Sequence, residues 1–222
     1  MDDSFKTMKL FLDTADTKLL HDGYLTGLID GVTTNPTLIM KSGRDPEDVY
    51  SELRNIGYDD ISMEVMGDGP EMVVEGRRLS KIFGKCATIK VPCTSDGLKA
   101  CAHLARDGIR VNVTLIFSVA QSILAAKAGA AYVSPFVGRV DDNSFDGVQL
   151  VKDISSLYKE QLARTQVLAA SLRDVKSVSE CFMGGTDIVT MPVAVFDKMY
   201  NHILTDKGLD LFQADWESVN GK

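Results

Sequence analysis

A lysine inside an apolar run is the feature of this sequence with the clearest chemical potential. Lys90 is the only charged residue of the segment 87–92, whose other members are Ala, Thr, Ile, Val and Pro. Such a run is typical of a strand buried on both faces, where an ammonium group must find a countercharge or release its proton. A neutral amine attacks ketones and aldehydes, so the position suggests Schiff-base chemistry. The alternative is a strand-end lysine that reaches water or pairs with a carboxylate.

Further polar side chains stand within or just after other short apolar runs. They are Asp13, Thr33, Asn35, Glu64, Asn112, Thr114, Ser134, Arg139, Ser171 and Arg173. Polar groups are costly in buried strands unless they are paired. Because these groups and Lys90 together recur on seven successive runs, they indicate a single polar site at which the runs converge.

The elements that must position these side chains follow a simple alternation of strand-like and helix-like segments. Strand candidates lie at 10–13, 31–34, 61–66, 87–92, 111–116, 132–137, 167–171 and 188–191, with amphipathic segments between them. Helix starts are predicted at Asp96, Ser118 and Asp174, and helix ends at Gly108 and Gly129. Eight such units in 222 residues predict an α/β fold, a single (β/α)8 TIM barrel. An open doubly wound sheet is the alternative, but the first strand–helix turn, 13–17, has no glycine for a dinucleotide site.

In such a barrel the active site forms at the carboxyl ends of the strands, where the polar residues stand. Water must leave the carbinolamine formed by Lys90, and Glu64 and Thr114 could hold that water during proton transfer. Cleavage of the adjacent carbon–carbon bond needs a base for the substrate hydroxyl, and Asp13 is the candidate.

The remaining residues suit substrate recognition. Hydroxyl recognition is expected of Asn35, Asn112 and Ser134, and the guanidinium forks of Arg139 and Arg173 suit a phosphate. Structural roles remain open for several: an N-cap at Asp13, a helix-initiating turn at Asn35 with Pro36, and a surface ion pair between Arg139 and Asp141 or Asp142.

Composition narrows the class of protein. With 24 basic and 31 acidic residues the formal charge is −7, which is poorly suited to nucleic acid or an anionic membrane. No apolar stretch approaches the roughly 18 residues of a membrane span, and the acidic N-terminus lacks a signal-peptide core, so a cytoplasmic protein is expected. The four cysteines form no C-x-x-C pair and the three histidines give no zinc spacing, so neither a metal nor another cofactor is expected.

The C-terminal segment has a pattern of its own. Residues 209–219 form an amphipathic helical pattern that contains the only tryptophan. The predicted organisation is one barrel domain over residues 1–222, with a helical tail at 209–222 that packs either on a neighbouring subunit or on its own barrel.

Segments from the first strand to the sixth resemble the small transaldolase subfamily, which also includes the fructose 6-phosphate aldolases. The matching segments are Leu10-Phe11-Leu12-Asp13-Thr14-Ala15, Gly31-Val32-Thr33-Thr34-Asn35-Pro36, Ile89-Lys90-Val91-Pro92, Val111-Asn112-Val113-Thr114 and Ser134-Pro135-Phe136-Val137-Gly138-Arg139. The resemblance implies a (β/α)8 barrel and a metal-free class I aldol mechanism. It maps the Schiff-base lysine on Lys90, the proton-transfer aspartate on Asp13, the water-holding pair on Glu64 and Thr114, the phosphate arginines on Arg139 and Arg173, and substrate-binding positions on Asn35, Asn112, Ser134 and Ser171.

Two positions distinguish activities within the subfamily. The aldolases resemble one another in having Gln where this chain has Glu64 and Tyr where it has Phe136. The resemblance therefore implies a transaldolase that moves a dihydroxyacetone unit from sedoheptulose 7-phosphate or fructose 6-phosphate to erythrose 4-phosphate or glyceraldehyde 3-phosphate. The alternatives are a fructose 6-phosphate aldolase and a non-catalytic sugar-phosphate-binding barrel. Relatives of this size form decamers of two pentameric rings, with the C-terminal helix reaching over a neighbour.

Overall fold

The computed structural model describes residues 8–220, in which eight parallel strands close into a barrel in sequence order. Each strand pairs with the next, and β8 pairs with β1. The strands are β1 (Lys9–Asp13), β2 (Gly31–Thr33), β3 (Ile61–Glu64), β4 (Ala87–Pro92), β5 (Val111–Ile116), β6 (Tyr132–Pro135), β7 (Gln166–Ala169) and β8 (Ile188–Met191). The predicted (β/α)8 barrel is confirmed.

Eleven α-helices lie within residues 8–220, because β2, β6 and β8 are each followed by two. The two predicted helix-ending glycines, Gly108 and Gly129, follow α5 and α6 with positive φ angles of 76° and 89°. The helices are α1 (Thr17–Leu25), α2 (Pro36–Ser42), α3 (Pro46–Ile56), α4 (Gly69–Phe83), α5 (Ser95–Arg106), α6 (Val119–Lys127), α7 (Val137–Asp142), α8 (Gly147–Glu160), α9 (Val175–Met183), α10 (Val193–Lys198) and α11 (Ile203–Asn220).

Two of the three predicted helix starts are confirmed. Ser118 and Asp174 cap α6 and α9, each accepting a hydrogen bond from the backbone N–H three residues later. The prediction for Asp96 is wrong, because Thr94 caps α5 by accepting from Gly97 N. Asp96 lies instead in the first turn, where a negative charge also stabilises the helix.

Several strands are shorter than predicted at their carboxyl ends. β2 ends at Thr33, β3 at Glu64, β6 at Pro135 and β7 at Ala169. Val137 already belongs to α7, so β6 cannot extend to it. Ser171 has a φ angle of 59°, a left-handed conformation incompatible with a strand. The polar residues after β2 and β7 therefore lie on loops at the barrel mouth, whereas Arg139 lies in α7.

Apolar side chains fill the interior of the barrel beneath the mouth. The interior cluster contains Phe11, Tyr132, Leu168, Ala170 and Ile188, whereas a larger cluster lies between the strands and the helices. A Cβ at Gly31 would lie 2.5 Å from Cζ of Phe11, so only glycine leaves room for the ring. The polar mouth thus has a packed apolar floor.

A buried polar network lies at the end of the barrel opposite to the mouth. Asp60 accepts 2.6 Å hydrogen bonds from Thr88 and Tyr132, and Arg110 donates to Thr88 Oγ1 at 2.6 Å. Burial raises the pKa of Tyr132, and the Asp60 carboxylate adds to that increase. Because this network lies at the amino ends of the strands and is internally paired, its role is structural.

The C-terminal helix begins earlier than predicted. His202 Nδ1 accepts from Leu204 N at 3.2 Å, and α11 runs from Ile203 rather than from residue 209. None of the side chains described in this helix is buried, and Leu209, Phe212 and Trp216 are each more than 60 % exposed. Residues 221–222 of the predicted tail and the N-terminal residues 1–7 lie outside the described residues. Within 8–220, no helix is long and apolar enough to cross a membrane.

Candidate active site

A cavity of about 100 Å³ opens at the carboxyl ends of the strands and brings together most of the predicted site residues. Glu64 and Arg173, which were also predicted, do not line it. The lining consists of Asp13, Thr33, Asn35, Lys90, Asn112, Thr114, Ser134, Phe136, Arg139 and Ser171, with Ala170 and Thr190 in addition. The convergence expected from strand ends is therefore observed.

Lys90 lies inside the barrel with a countercharge beside it. Parallel pairing places it opposite Glu64 on β3 and Asn112 on β5. Its Nζ lies 3.1 Å from Glu64 Oε2 and donates to the carbonyl oxygen of Thr34 at 2.9 Å. Only 6 % of the Lys90 side chain and 11 % of the Glu64 side chain are exposed. The lysine is thus buried, and it also pairs with a carboxylate, as the alternative interpretation required.

Asp13 ends β1 next to Thr33 of β2. Its Oδ1 accepts from Thr33 Oγ1 at 2.7 Å. It is not a helix cap, because Asp16 caps α1. Burial raises the pKa of Asp13, and the charge of Lys90 and the hydrogen bond from Thr33 oppose that increase. A carboxylate with a raised pKa is a stronger proton acceptor.

Thr114 has a buried hydroxyl for which the described residues offer no hydrogen-bond partner. The register of β5 against β6 shifts between Val113 and Ile116, and Leu115 has a φ angle of 60°. This irregularity follows Thr114 directly, as bulges near active sites often do. A buried unpaired hydroxyl is costly, so the position suits a water molecule or a substrate oxygen.

Asn35 combines a structural role with a place in the cavity wall. Its side-chain oxygen accepts from Leu38 N at 3.0 Å and caps α2, with Pro36 in the first turn. The helix-initiating turn considered from the sequence is therefore present. Because the cap uses only the carbonyl oxygen, the amide N–H groups of Asn35 remain to donate.

Asn112 is held between two serines. Its Nδ2 donates to Ser62 Oγ at 3.3 Å, and Ser134 Oγ donates to its Oδ1 at 2.8 Å. Sequence reasoning missed Ser62 and Thr190. Both were detectable, since Ser62 lies two residues before Glu64 on the same strand face, and Thr190 is the polar residue of the eighth apolar run.

The first turn of α7 and the loop after β7 approach closely and bring the two arginines to one side of the mouth. Gly138 N donates to Ser171 O at 3.1 Å. A Cβ at Gly138 would lie 2.5 Å from that oxygen and 2.7 Å from Arg173 Nε. Glycine is therefore required where the segment carrying Arg139 meets the segment carrying Arg173.

The two arginines have different partners. The guanidinium carbon of Arg139 lies 4.9 Å from the ring centroid of Phe136. Arg173 donates through both terminal nitrogens to Asp142. The ion pair considered for Arg139 is therefore formed by Arg173 instead, and this pairing lowers the pKa of Asp142.

The cysteines stand apart from this chemistry. Cys86, Cys101 and Cys181 are buried, Cys93 is half-buried, and all four are free thiols. Burial raises the pKa of Cys101 and of Cys181 to about 12, so both remain protonated. Within residues 8–220 no group of three or more His, Cys, Asp or Glu side chains is arranged to hold a metal ion.

Comparison with known proteins agrees with the fold. Residues 10–222 match the model of the Transaldolase/Fructose-6-phosphate aldolase family. A probable transaldolase of Caulobacter vibrioides is 50% identical over 213 residues, covering 96% of this chain and 98% of that protein. A probable transaldolase of Paracoccus denitrificans is 48% identical over 216 residues, covering 97% of this chain and 99% of its own length. The chain therefore belongs to the Transaldolase/Fructose-6-phosphate aldolase family of enzymes.

Proposed function

We propose that this enzyme is a cytoplasmic transaldolase that carries a dihydroxyacetone unit as a Schiff base on Lys90. The donor is sedoheptulose 7-phosphate or fructose 6-phosphate, and the acceptor is erythrose 4-phosphate or glyceraldehyde 3-phosphate. The observation that carries the proposal is the buried Lys90, paired with Glu64 at 3.1 Å and facing a cavity that Asp13 also lines.

The first step is attack of Lys90 on the ketone carbonyl of the donor. Nζ must lose a proton to become a nucleophile, and Glu64 at 3.1 Å is placed to accept it. The carbinolamine then loses its hydroxyl as water. Thr114, whose hydroxyl is unpaired among the described residues, and Glu64 hold this water while the proton is delivered.

Asp13 acts in the second step. Its carboxylate takes the proton of the substrate hydroxyl next to the breaking carbon–carbon bond. The electron pair of that bond moves into the iminium, an aldose phosphate leaves, and a neutral enamine remains on Lys90. The raised pKa of Asp13 suits this task. Reversal of the same steps with an acceptor aldehyde releases the new ketose phosphate.

Recognition of the substrate is assigned to the remaining cavity residues and to Arg173, which lies outside the cavity wall. The hydroxyls of the sugar are bound by the polar groups of Thr33, Asn35, Asn112, Ser134 and Ser171, with Phe136 forming an apolar wall. Arg139 and Arg173 bind the phosphate. Arg173 would then exchange Asp142 for the phosphate, which offers the same bidentate geometry.

We expect Arg139→Ala and Arg173→Ala each to raise KM for phosphorylated donors by more than about tenfold, equivalent to about 1.4 kcal/mol. Steady-state kinetics with unphosphorylated dihydroxyacetone and short aldehydes should change much less. Arg77→Ala is the matched control, because Arg77 is a surface residue paired with Asp107. Equal losses for both substrate types would mean that the arginines support the structure of the mouth instead.

Assembly belongs to the same proposal. We infer that the barrel domain forms a homo-oligomer, a decamer of two pentameric rings, in which the tail packs on a neighbouring subunit. The support is the stripe formed by Leu209, Phe212, Trp216 and Val219, which is exposed on α11 although its spacing is that of a buried helix face.

Deleting residues 209–222 is expected to convert the oligomer into smaller species, because the deletion removes this stripe. Light scattering measures the change, and Phe212→Ser should act in the same direction. Gln213→Ser is the control on the adjacent polar position, where Gln213 contacts Glu217 of its own helix. A monomeric full-length protein would contradict the assembly.

The activity is tested by glyceraldehyde 3-phosphate release from fructose 6-phosphate, with and without erythrose 4-phosphate. Release that depends on the acceptor supports a transaldolase. Release at the same rate with and without the acceptor supports the alternative of a fructose 6-phosphate aldolase. No release under either condition supports the alternative of a non-catalytic sugar-phosphate-binding barrel.

A further inference from the structure

We propose that Thr190, on β8, is a positioning residue that acts on Asp13 through Thr33. Two hydrogen bonds form the connection: Thr190 Oγ1 lies 2.7 Å from Thr33 Oγ1, which lies 2.7 Å from Asp13 Oδ1. Both threonines are buried, with exposures of 1 % and 2 %. The inference rests on the proposed function, in which Asp13 is the base.

The direction of the two hydrogen bonds follows from the donors available. An ionised carboxylate can only accept, so Thr33 must donate to Asp13. A hydroxyl has one hydrogen, so Thr33 has none left for Thr190. Thr190 therefore donates to Thr33, and its hydroxyl polarises the Thr33 hydroxyl toward the carboxylate.

The strand pairing explains how Thr190 of β8 comes within hydrogen-bond distance of Thr33. Asp13 is the register partner of Thr33 on β2, whereas Thr190 is the partner of Phe11, two residues before Asp13. The hydroxyl chain thus crosses β1 below the carboxylate and ties three strands together. It fixes which oxygen of Asp13 is occupied, so Oδ2 remains to take the substrate proton.

The charge environment of Asp13 gives the sign of the effect. Lys90 is the charged side chain that lowers the pKa of Asp13, and Thr33 lowers it by hydrogen bonding. Glu64 is paired with Lys90, and Arg139 lines the same cavity from α7. Loss of the Thr190 hydroxyl weakens donation to the charged carboxylate and raises the pKa of Asp13. The ionised form of Asp13 is the active base, and it becomes protonated when the pH falls below its pKa. A raised pKa therefore moves this loss of activity to a higher pH.

The test is the pH profile of kcat/KM for fructose 6-phosphate at saturating erythrose 4-phosphate. We expect Thr190→Val to move the acidic limb up by roughly half a pH unit and to lower kcat/KM about threefold at the acidic end. Thr190→Ser, which keeps the hydroxyl, should restore the wild-type limb. Thr186→Val is the matched control, since that buried hydroxyl donates to Val167 O at 2.9 Å, away from Asp13.

Each outcome decides between defined alternatives. An unchanged limb in Thr190→Val, or the same shift in Thr190→Ser or Thr186→Val, would overturn the inference. Circular dichroism excludes unfolding as the cause of any change. Asp13→Asn tests the underlying function separately, because an acidic limb that survives in this variant would show that Asp13 is not the base.

Discussion

Replacing Lys90 by methionine is expected to reduce turnover by roughly a thousandfold or more, as removal of a covalent nucleophile does. Methionine has a similar length and is readily accommodated in a buried strand. It leaves Glu64 without its countercharge, however, so the free energy of unfolding should fall by about 3 kcal/mol. The double variant Lys90→Met/Glu64→Gln removes that uncompensated charge and should recover stability without recovering activity. Turnover assays and thermal unfolding measure the two effects independently.

Covalent capture identifies the nucleophile directly. Borohydride with fructose 6-phosphate should inactivate the wild-type enzyme and add a reduced sugar fragment to the peptide that contains Lys90. Lys99→Met is the control, because Lys99 is exposed and paired with Asp96 on the outside of the barrel. It should trap as the wild type does, and EDTA should change neither result. A label on another lysine, or an active Lys90→Met enzyme, would remove Lys90 from the mechanism.

The fold was accessible from the sequence because its signals are local and repeated. Each strand is a short apolar run, and Ser118 and Asp174 show their capping role by side-chain type and position alone. The convergence of Asp13, Lys90 and Thr114 follows from one property of parallel barrels, in which all the carboxyl strand ends meet at one opening.

What the sequence did not reveal depends on contacts between distant segments. Arg139 is nearer to Asp142 in sequence, yet Arg173 forms the ion pair, because Gly138 lets α7 approach the loop that carries Arg173. β7 ends before Ser171 because Ser171 has a left-handed backbone conformation, which its residue type does not predict. The link from Thr190 to Asp13 passes through the closure of β8 on β1, which no sequence spacing encodes.

Cleavage of fructose 6-phosphate is expected to be slow until an acceptor aldehyde is added. A transferase must hold its enamine until the aldehyde arrives, whereas an aldolase must protonate the enamine and hydrolyse the iminium. Phe136 lines the cavity and has no proton to donate. We therefore expect erythrose 4-phosphate to accelerate glyceraldehyde 3-phosphate release on the order of tenfold or more.

Phe136→Tyr places a hydroxyl in this cavity and should raise the acceptor-independent rate. Glu64→Gln should increase that rate further and lower the rate of transfer to the acceptor. The reason is that an amide removes the negative charge beside Lys90 and the group that can take up a proton there. Phe117→Tyr is the matched control, since Phe117 packs edge-on against Phe136 with its ring centroid 5.9 Å away but does not line the cavity. If Phe117→Tyr had the same effect as Phe136→Tyr, the new hydroxyl would not be acting at the reaction centre. If the wild-type enzyme released product equally fast without acceptor, the enamine would be protonated in normal turnover and the enzyme would be an aldolase.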